Sequence, residues 1–89
     1  MINDADLQTI RDVSRRYQVK RVVLFGSSLE AADKAQDIDL AIEGIAPEAF
    51  FAYYGDLMMR CSKPVDLVDI SKPSKFNALI LRDGVPVYG

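Results

Sequence analysis

The stretch that decides the fold covers residues 24–44 and reads LFGSSLEAADKAQDIDLAIEG. A first apolar run ends at Gly26 and Ser27, a polar link follows, and a second apolar run carries Asp37 and Asp39. Successive side chains of a strand point to opposite faces, so these two carboxylates share one face about 7 Å apart. They repel each other by about 0.6 kcal/mol in water and about 2 kcal/mol at an effective dielectric near 20. Most such pairs simply face solvent, but a divalent cation would make the pair favourable.

A third carboxylate, that of Asp66, lies near the start of a later apolar run, as Asp37 and Asp39 do in theirs. Asp66 follows the first residue of VDLVDI, residues 65–70, whereas Asp69 falls on the opposite face of that strand. If this strand lies beside the one that carries Asp37 and Asp39, three carboxylates meet on one surface. Such oxygen ligands suit Mg²⁺, which binds one or two carboxylates together with substrate phosphates. A pair of ions about 4 Å apart would stabilise both oxygens of a phosphoryl displacement.

The turn after the first strand could hold a phosphate. Gly26 permits a close approach of the backbone, and the N–H groups and hydroxyl of Ser27 are suitable phosphate donors. A Gly-Ser pair alone is also an ordinary start of a loop. On the acidic face of the second strand, the small side chain of Ala41 predicts open space above the sheet.

The whole chain is predicted to form one α+β domain, residues 1–89, with the order α-β-β-α-β-α. We expect a small mixed sheet of three to four strands with helices packed mainly on one side. The first two strands should be antiparallel neighbours because their link is short, and Pro86 places the terminal extended segment at an edge. Asn3 or Asp4 would cap the first helix, and Ser71 or Ser74 the last. The predicted strands cover 21–25, 37–44 and 65–70, and the predicted helices after the first cover 47–61 and 74–82.

Composition excludes several kinds of site. The sequence has no His and only one Cys, so zinc sites built from Cys and His, a His base and an internal disulfide are all excluded. Acid–base chemistry must then use carboxylates, Lys or Tyr. A net charge of −2 does not favour direct binding of nucleic acid. No apolar run approaches about 20 residues, so we expect a cytoplasmic protein with no membrane association.

The three segments LFGSS, DIDLAI and VDLVDI together resemble the minimal nucleotidyltransferase family. Its members are the smallest of the DNA polymerase β-like superfamily, and the MntA-type proteins among them are antitoxins paired with HEPN-domain toxins. The resemblance implies Mg²⁺ as cofactor and ATP as substrate. It also implies transfer of a nucleoside monophosphate, usually AMP, to a hydroxyl group, which in those pairs belongs to a Tyr of the HEPN partner.

The same resemblance implies roles for five residues of this chain. Asp37 and Asp39 correspond to the metal-binding pair, and Asp66 to the third carboxylate, which could help to deprotonate the acceptor hydroxyl. Gly26 and Ser27 correspond to the turn that holds the distal phosphates of the nucleotide. All three aspartates are therefore predicted to be both catalytic and metal-binding.

The link after Ser27 departs from the family pattern. Glu30 and Ala31 fall where the family commonly has Arg and Gly, and the link is slightly shorter than usual. Glu30 could turn to solvent, and Lys34 could supply the missing positive charge. The alternative function is therefore a catalytically weak or inactive antitoxin that neutralises its partner by contact. A small-molecule acceptor is a further alternative, although nucleotidyltransferases of that kind usually have an extra helical domain.

The aromatic and Met-rich helix predicted after Pro47 offers a surface for assembly. Its buried side is predicted to consist of Phe50, Phe51, Tyr54, Leu57, Met58 and Cys61. Alternatively, Tyr53, Phe51 or Met59 could form an exposed apolar patch. We expect that such a patch would serve a homo-oligomer or a hetero-oligomer.

Overall fold

The computed structural model describes residues 2–29 and 36–89 of the chain. Glu30 and Lys34, the two charges singled out in the link, lie outside the described residues. The described parts form three helices and four strands in the order α1 (Asp4–Arg16), β1 (Arg21–Leu24), β2 (Ile38–Glu43), α2 (Phe50–Arg60), β3 (Val65–Asp69), α3 (Lys75–Asp83) and β4 (Val85–Tyr88). Short 3-10 turns at Gly26–Leu29 and Pro47–Ala49 precede β2 and α2.

The helix ends show which of the candidate caps is used. The side chain of Asn3 accepts a hydrogen bond from the backbone N–H of Asp6 at 2.8 Å, and Ser74 accepts one from Asn77 at 3.0 Å. Each of these bonds satisfies an N–H that has no partner within its helix. Asn3 and Ser74 are therefore the caps, rather than Asp4 and Ser71.

The four strands form one mixed sheet in the order β3-β2-β1-β4. β1 and β2 are antiparallel, β2 and β3 are parallel, and β4 pairs with β1 at the edge, as Pro86 predicted. Because β1 runs opposite to β2 and β3, its end lies beside their beginnings. The turn at Gly26 and the first residues of β2 and β3 therefore meet at one end of the sheet.

The two faces of the sheet are covered by different helices. α1 and α2 pack on the face that carries Leu24, Leu40 and Val65, and this layer is the main core. α3 packs on the opposite face, where Ile80 meets Val23 and Ala41. The predicted α+β architecture with a mixed sheet is confirmed, with two of the three described helices on one side and the third on the other.

Polar contacts join α1 and α2 inside the main core. The hydroxyl groups of Ser14 and Tyr53 are hydrogen-bonded at 2.8 Å, with both residues fully buried. The buried carboxylate of Asp6 accepts hydrogen bonds from the N–H and hydroxyl of Ser62, just beyond the end of α2. These contacts satisfy polar groups that would otherwise be costly to bury.

Candidate active site

The Gly26–Ser27 turn contacts the carboxylate of Asp39 directly. The backbone N–H and the hydroxyl of Ser27 both donate to Oδ2 of Asp39, at 3.2 and 3.0 Å. Gly26 has φ +61°, a backbone conformation that residues other than Gly rarely adopt. A Cβ atom at this position would lie 2.7 Å from Oδ2 of Asp39. The position therefore needs glycine both for its backbone angle and for the space occupied by the carboxylate.

Ser28 is a site residue that sequence reasoning missed. Its hydroxyl group accepts a hydrogen bond from the backbone N–H of Asp39 at 2.5 Å, and the residue is fully buried. The backbone O of Asp39 accepts a hydrogen bond from the N–H of Phe25 at 3.1 Å. Both backbone polar groups of Asp39 are therefore bonded to the segment that follows β1. The only signal in the sequence was a second Ser after Gly-Ser, which is common in loops.

Asp66 lies beside Asp39 on the sheet. The parallel register of β2 and β3 pairs Asp39 with Asp66 and Ile42 with Asp69. Directly paired residues of a parallel ladder point to the same face, with their Cα atoms about 4.8 Å apart. Asp66 therefore shares the face of Asp39, whereas Asp69 belongs to the opposite face, as predicted.

Asp37 lies one residue before β2. It is half-buried, and no hydrogen bond or ion pair joins its side chain to another described residue. Because Asp37 is outside the strand, alternation does not determine where its carboxylate points. Asp37 is therefore near Asp39 in the sequence, but the strand does not fix the two carboxylates on one face.

The carboxylate oxygens present at this site are of the kind that Mg²⁺ prefers as ligands. Asp39 and Asp66 offer hard oxygen ligands on one face, and two carboxylates are sufficient when phosphates complete the coordination. Within residues 2–29 and 36–89, however, no group of three acidic, Cys or His side chains is close enough to hold a metal ion. The ion pairs in those same ranges involve other acidic residues, namely Asp12, Glu43, Asp56 and Asp83. Neither Asp39 nor Asp66 forms an ion pair with another described residue.

The expected open space above Ala41 is absent. Ala41 is fully buried and packs with Val23, Ile70 and Ile80, because α3 crosses the sheet at this point. The small side chain of Ala41 makes room for a helix, and the acidic surface is confined to the end of the sheet near Gly26. The prediction of free space was wrong because the sequence did not reveal on which face α3 packs.

The exposed side of α2 also differs from the prediction. The predicted buried side included Phe51 and Met58, but their exposed fractions are 81% and 46%, so for Phe51 the alternative of an exposed patch is confirmed. Tyr53 was a candidate for the exposed patch and is instead fully buried, whereas Met59 is 85% exposed. The wrong assignments arose because α2 is apolar on most of its circumference, so its sequence did not identify the side that faces the sheet.

Groups with strongly shifted pKa values lie away from this site. Burial raises the pKa of Tyr53 to about 12, and the hydrogen bond between Tyr53 and Ser14 opposes this shift only partly. Burial likewise raises the pKa of the Cys61 thiol to about 11, with a further contribution from nearby Asp6. Both side chains stay protonated near neutral pH. Neither is suited to act as a base near neutral pH.

Comparison with known proteins identifies the family. The family described as "Polymerase beta, Nucleotidyltransferase" matches residues 8–89, which is nearly the whole chain. The chain belongs to the polymerase β nucleotidyltransferase family. A search among curated proteins found no match.

Solved structures show the same nucleotidyltransferase fold. A chain in the crystal structure of the toxin–antitoxin MntA–HepT superposes with a TM-score of 0.72 at 20% identity, over 98% of this chain and 73% of that one. A second crystal structure, of a mutant of that toxin–antitoxin with two Asp-to-Glu substitutions, gives a TM-score of 0.70 at 20% identity. It matches over 93% of this chain and 72% of that one. Among the described helices of this nucleotidyltransferase, none has the length and apolar character needed to cross a membrane.

Proposed function

We propose that this nucleotidyltransferase transfers AMP from ATP to a hydroxyl group of a HEPN-type toxin and so acts as its antitoxin. The observation that carries the proposal is the arrangement of Asp39, which is paired with Asp66 in the sheet and accepts two hydrogen bonds from Ser27 of the Gly26–Ser27 turn. Carboxylates beside a phosphate-sized turn are what transfer of a nucleotidyl group requires. Family membership supports the reaction class.

Asp37, Asp39 and Asp66 are the proposed metal ligands; because the three side chains do not form a ready metal-binding group among the described residues, their carboxylates would come together when metal and nucleotide bind. When bound, Mg²⁺ would neutralise phosphate charge and polarise the phosphate oxygens. Gly26 and Ser27 would position the distal phosphates through the N–H and hydroxyl donors of the turn. Ser28 would keep the backbone of Asp39 in place during this binding.

Asp66 is the proposed base for the acceptor. It is exposed, and no hydrogen bond joins its side chain to another described residue, so its carboxylate is accessible to an incoming hydroxyl group. The acceptor oxygen would form a bond to the α-phosphorus while the bond from that phosphorus to the bridging oxygen breaks. Pyrophosphate leaves, and the proton of the hydroxyl group passes to Asp66. A Tyr of the partner is the proposed acceptor.

A transfer assay tests the proposal directly. The chain is incubated with Mg²⁺, a HEPN-type protein and ATP labelled at the α-phosphate, and label on the partner is measured. We expect transfer by the natural sequence and a decrease of about 100-fold or more for Asp66→Asn, the range that general bases contribute. Asp69→Asn is the matched control because Asp69 lies on the same strand but on the opposite face. Absence of label with every HEPN-type partner and with the natural sequence would reject the proposal.

Neutralisation by contact alone is the second candidate, and the surface of α2 favours it. Phe51, Met58 and Met59 lie on this helix and are exposed, around a Gly55 whose Cβ position is open. Exposed apolar groups of this kind are typical of interaction sites. We propose that they contact the toxin partner. The toxin–antitoxin relative is consistent with such an assembly.

Binding of the partner can be measured separately from transfer. We expect Phe51→Ser to weaken the complex by about tenfold or more, since one large apolar anchor commonly contributes over 1 kcal/mol. Phe76→Ser, at an exposed aromatic residue of α3, is the control. A tight complex that never acquires label would favour contact alone. Self-association lost in Phe51→Ser would assign the surface to a homo-oligomer instead.

A further inference from the structure

Asp39 already fills the place where the proposed function puts a phosphate. Its Oδ2 atom receives both side-chain and backbone donors of Ser27, and it lies where a Cβ on Gly26 would collide with it. A carboxylate and a phosphate are both anions that accept hydrogen bonds from such donors. The backbone N–H and the hydroxyl group of Ser27 each supply one proton, so they cannot serve both acceptors fully at the same time.

We infer that Asp39 is a built-in competitor for the phosphate position, so that withdrawing its carboxylate is what makes the Gly26–Ser27 turn available to a triphosphate. The inference rests on the proposed function, because it concerns the same turn and the same aspartate. It adds that metal and phosphate do not bind independently. A cation that draws Asp39 away from Ser27 would improve phosphate binding through Ser27 as well as through its own charge.

The local structure allows this exchange with little rearrangement. The backbone of Asp39 is held at its N–H by Ser28 and at its carbonyl by Phe25. Only the side chain of Asp39 has to rotate for Oδ2 to leave the turn. The nearby charge of Asp66 favours the present state, because it repels a carboxylate that leaves Ser27 when no cation is present.

The first test measures binding of inorganic tripolyphosphate by calorimetry in buffer with EDTA. We expect Asp39→Ala to bind at least about fivefold more tightly than the natural sequence, because two Ser27 donors are released. Asp66→Ala is the charge-matched control: it removes the same charge from the neighbouring ladder position but leaves Asp39 on Ser27. We expect a clearly smaller gain from it. Equal gains from the two variants would overturn the inference, as would no binding by any variant.

A double mutant separates the release of Ser27 from the loss of charge. In the Ser27→Ala background, Asp39→Ala should lose part of its gain, because the hydroxyl donor is absent in both members of that pair while the backbone N–H remains. A gain of the same size in both backgrounds would mean that electrostatic repulsion alone was relieved, and would contradict the inference.

A measurement on the natural sequence avoids dependence on the folding of any variant. We expect the Ser27 amide resonance to move when Mg²⁺ alone is added, because its hydrogen bond to Asp39 is lost. A resonance that stays in place up to saturating Mg²⁺ would overturn the inference. Label transfer without this coupling would leave the proposed function intact, whereas coupling without transfer would reject only the function.

Discussion

The two faces of the sheet have different chemistry although the same strands build both. On the α1/α2 face, Ile38, Leu40 and Ile42 are at most 1% exposed. On the other face, the same strand presents Asp39, Ala41 and Glu43, and α3 covers only the middle of these. One strand thus contributes to the core and to the proposed site at alternate positions. The stability of the fold can therefore be changed almost independently of the acidic surface.

The largest effect is expected on the buried face. Leu40→Ala should lower the free energy of unfolding by about 2–5 kcal/mol, since it leaves a cavity between the sheet and the helices. Chemical denaturation measures this change. Leu79→Ala, at a residue that is 49% exposed, should cost about 0.5 kcal/mol or less. Similar costs at both positions would contradict the contrast between a packed face and a solvated surface.

The pH dependence of stability should also originate on the buried face. The pKa of Tyr53 is near 10 in the unfolded chain and about 12 in the folded one. Its contribution to stability is therefore complete below pH 10 and decreases as the pH rises from 10 to 12, by up to about 2–3 kcal/mol. The free energy of unfolding, measured by denaturation at several pH values between 10 and 12, should decrease less with rising pH in Tyr53→Phe than in the natural sequence. At neutral pH that variant should lose about 1 kcal/mol with the Ser14 hydrogen bond.

An intermediate effect on stability is expected at Ala41, where α3 packs on the sheet. Ala41→Leu should cost about 1–3 kcal/mol, because the added carbons collide with the layer formed by Val23 and Ile80. Ala52→Leu, on the exposed surface of α2, is the matched control and should change stability little. If Leu is tolerated equally at position 41, the space above this strand is open, as the sequence had suggested.

The smallest effect is expected at the uncovered acidic end. Asp66→Asn should raise the melting temperature in EDTA by a few degrees, since it removes roughly 1 kcal/mol of repulsion from Asp39. Asp69→Asn should give no such increase, because Asp69 lies on the other face and accepts a hydrogen bond from Ser71. Added Mg²⁺ should stabilise the natural sequence more than Asp66→Asn. A lower melting temperature for Asp66→Asn in EDTA would argue against repulsion between the two carboxylates.

Much of the local structure could be predicted because it depends on short-range chemistry. Alternation in DIDLAI and VDLVDI located two strands, and polar caps located the start of α1 and α3. The hydrogen bonds between Ser27 and Asp39 could not be predicted, since the two residues are 12 positions apart in the sequence and meet only through the pairing of β1 with β2.

By itself, the sequence determined which side chains share a face within each strand, because a strand alternates with a period of two. It also determined that any acid–base chemistry lacks His and depends on other groups. Only the tertiary structure decided that Asp66 is the direct neighbour of Asp39, that α3 covers Ala41, and that Phe51 rather than Tyr53 is exposed. The physical reason is that strand register and helix placement depend on contacts between distant segments, which no local pattern specifies.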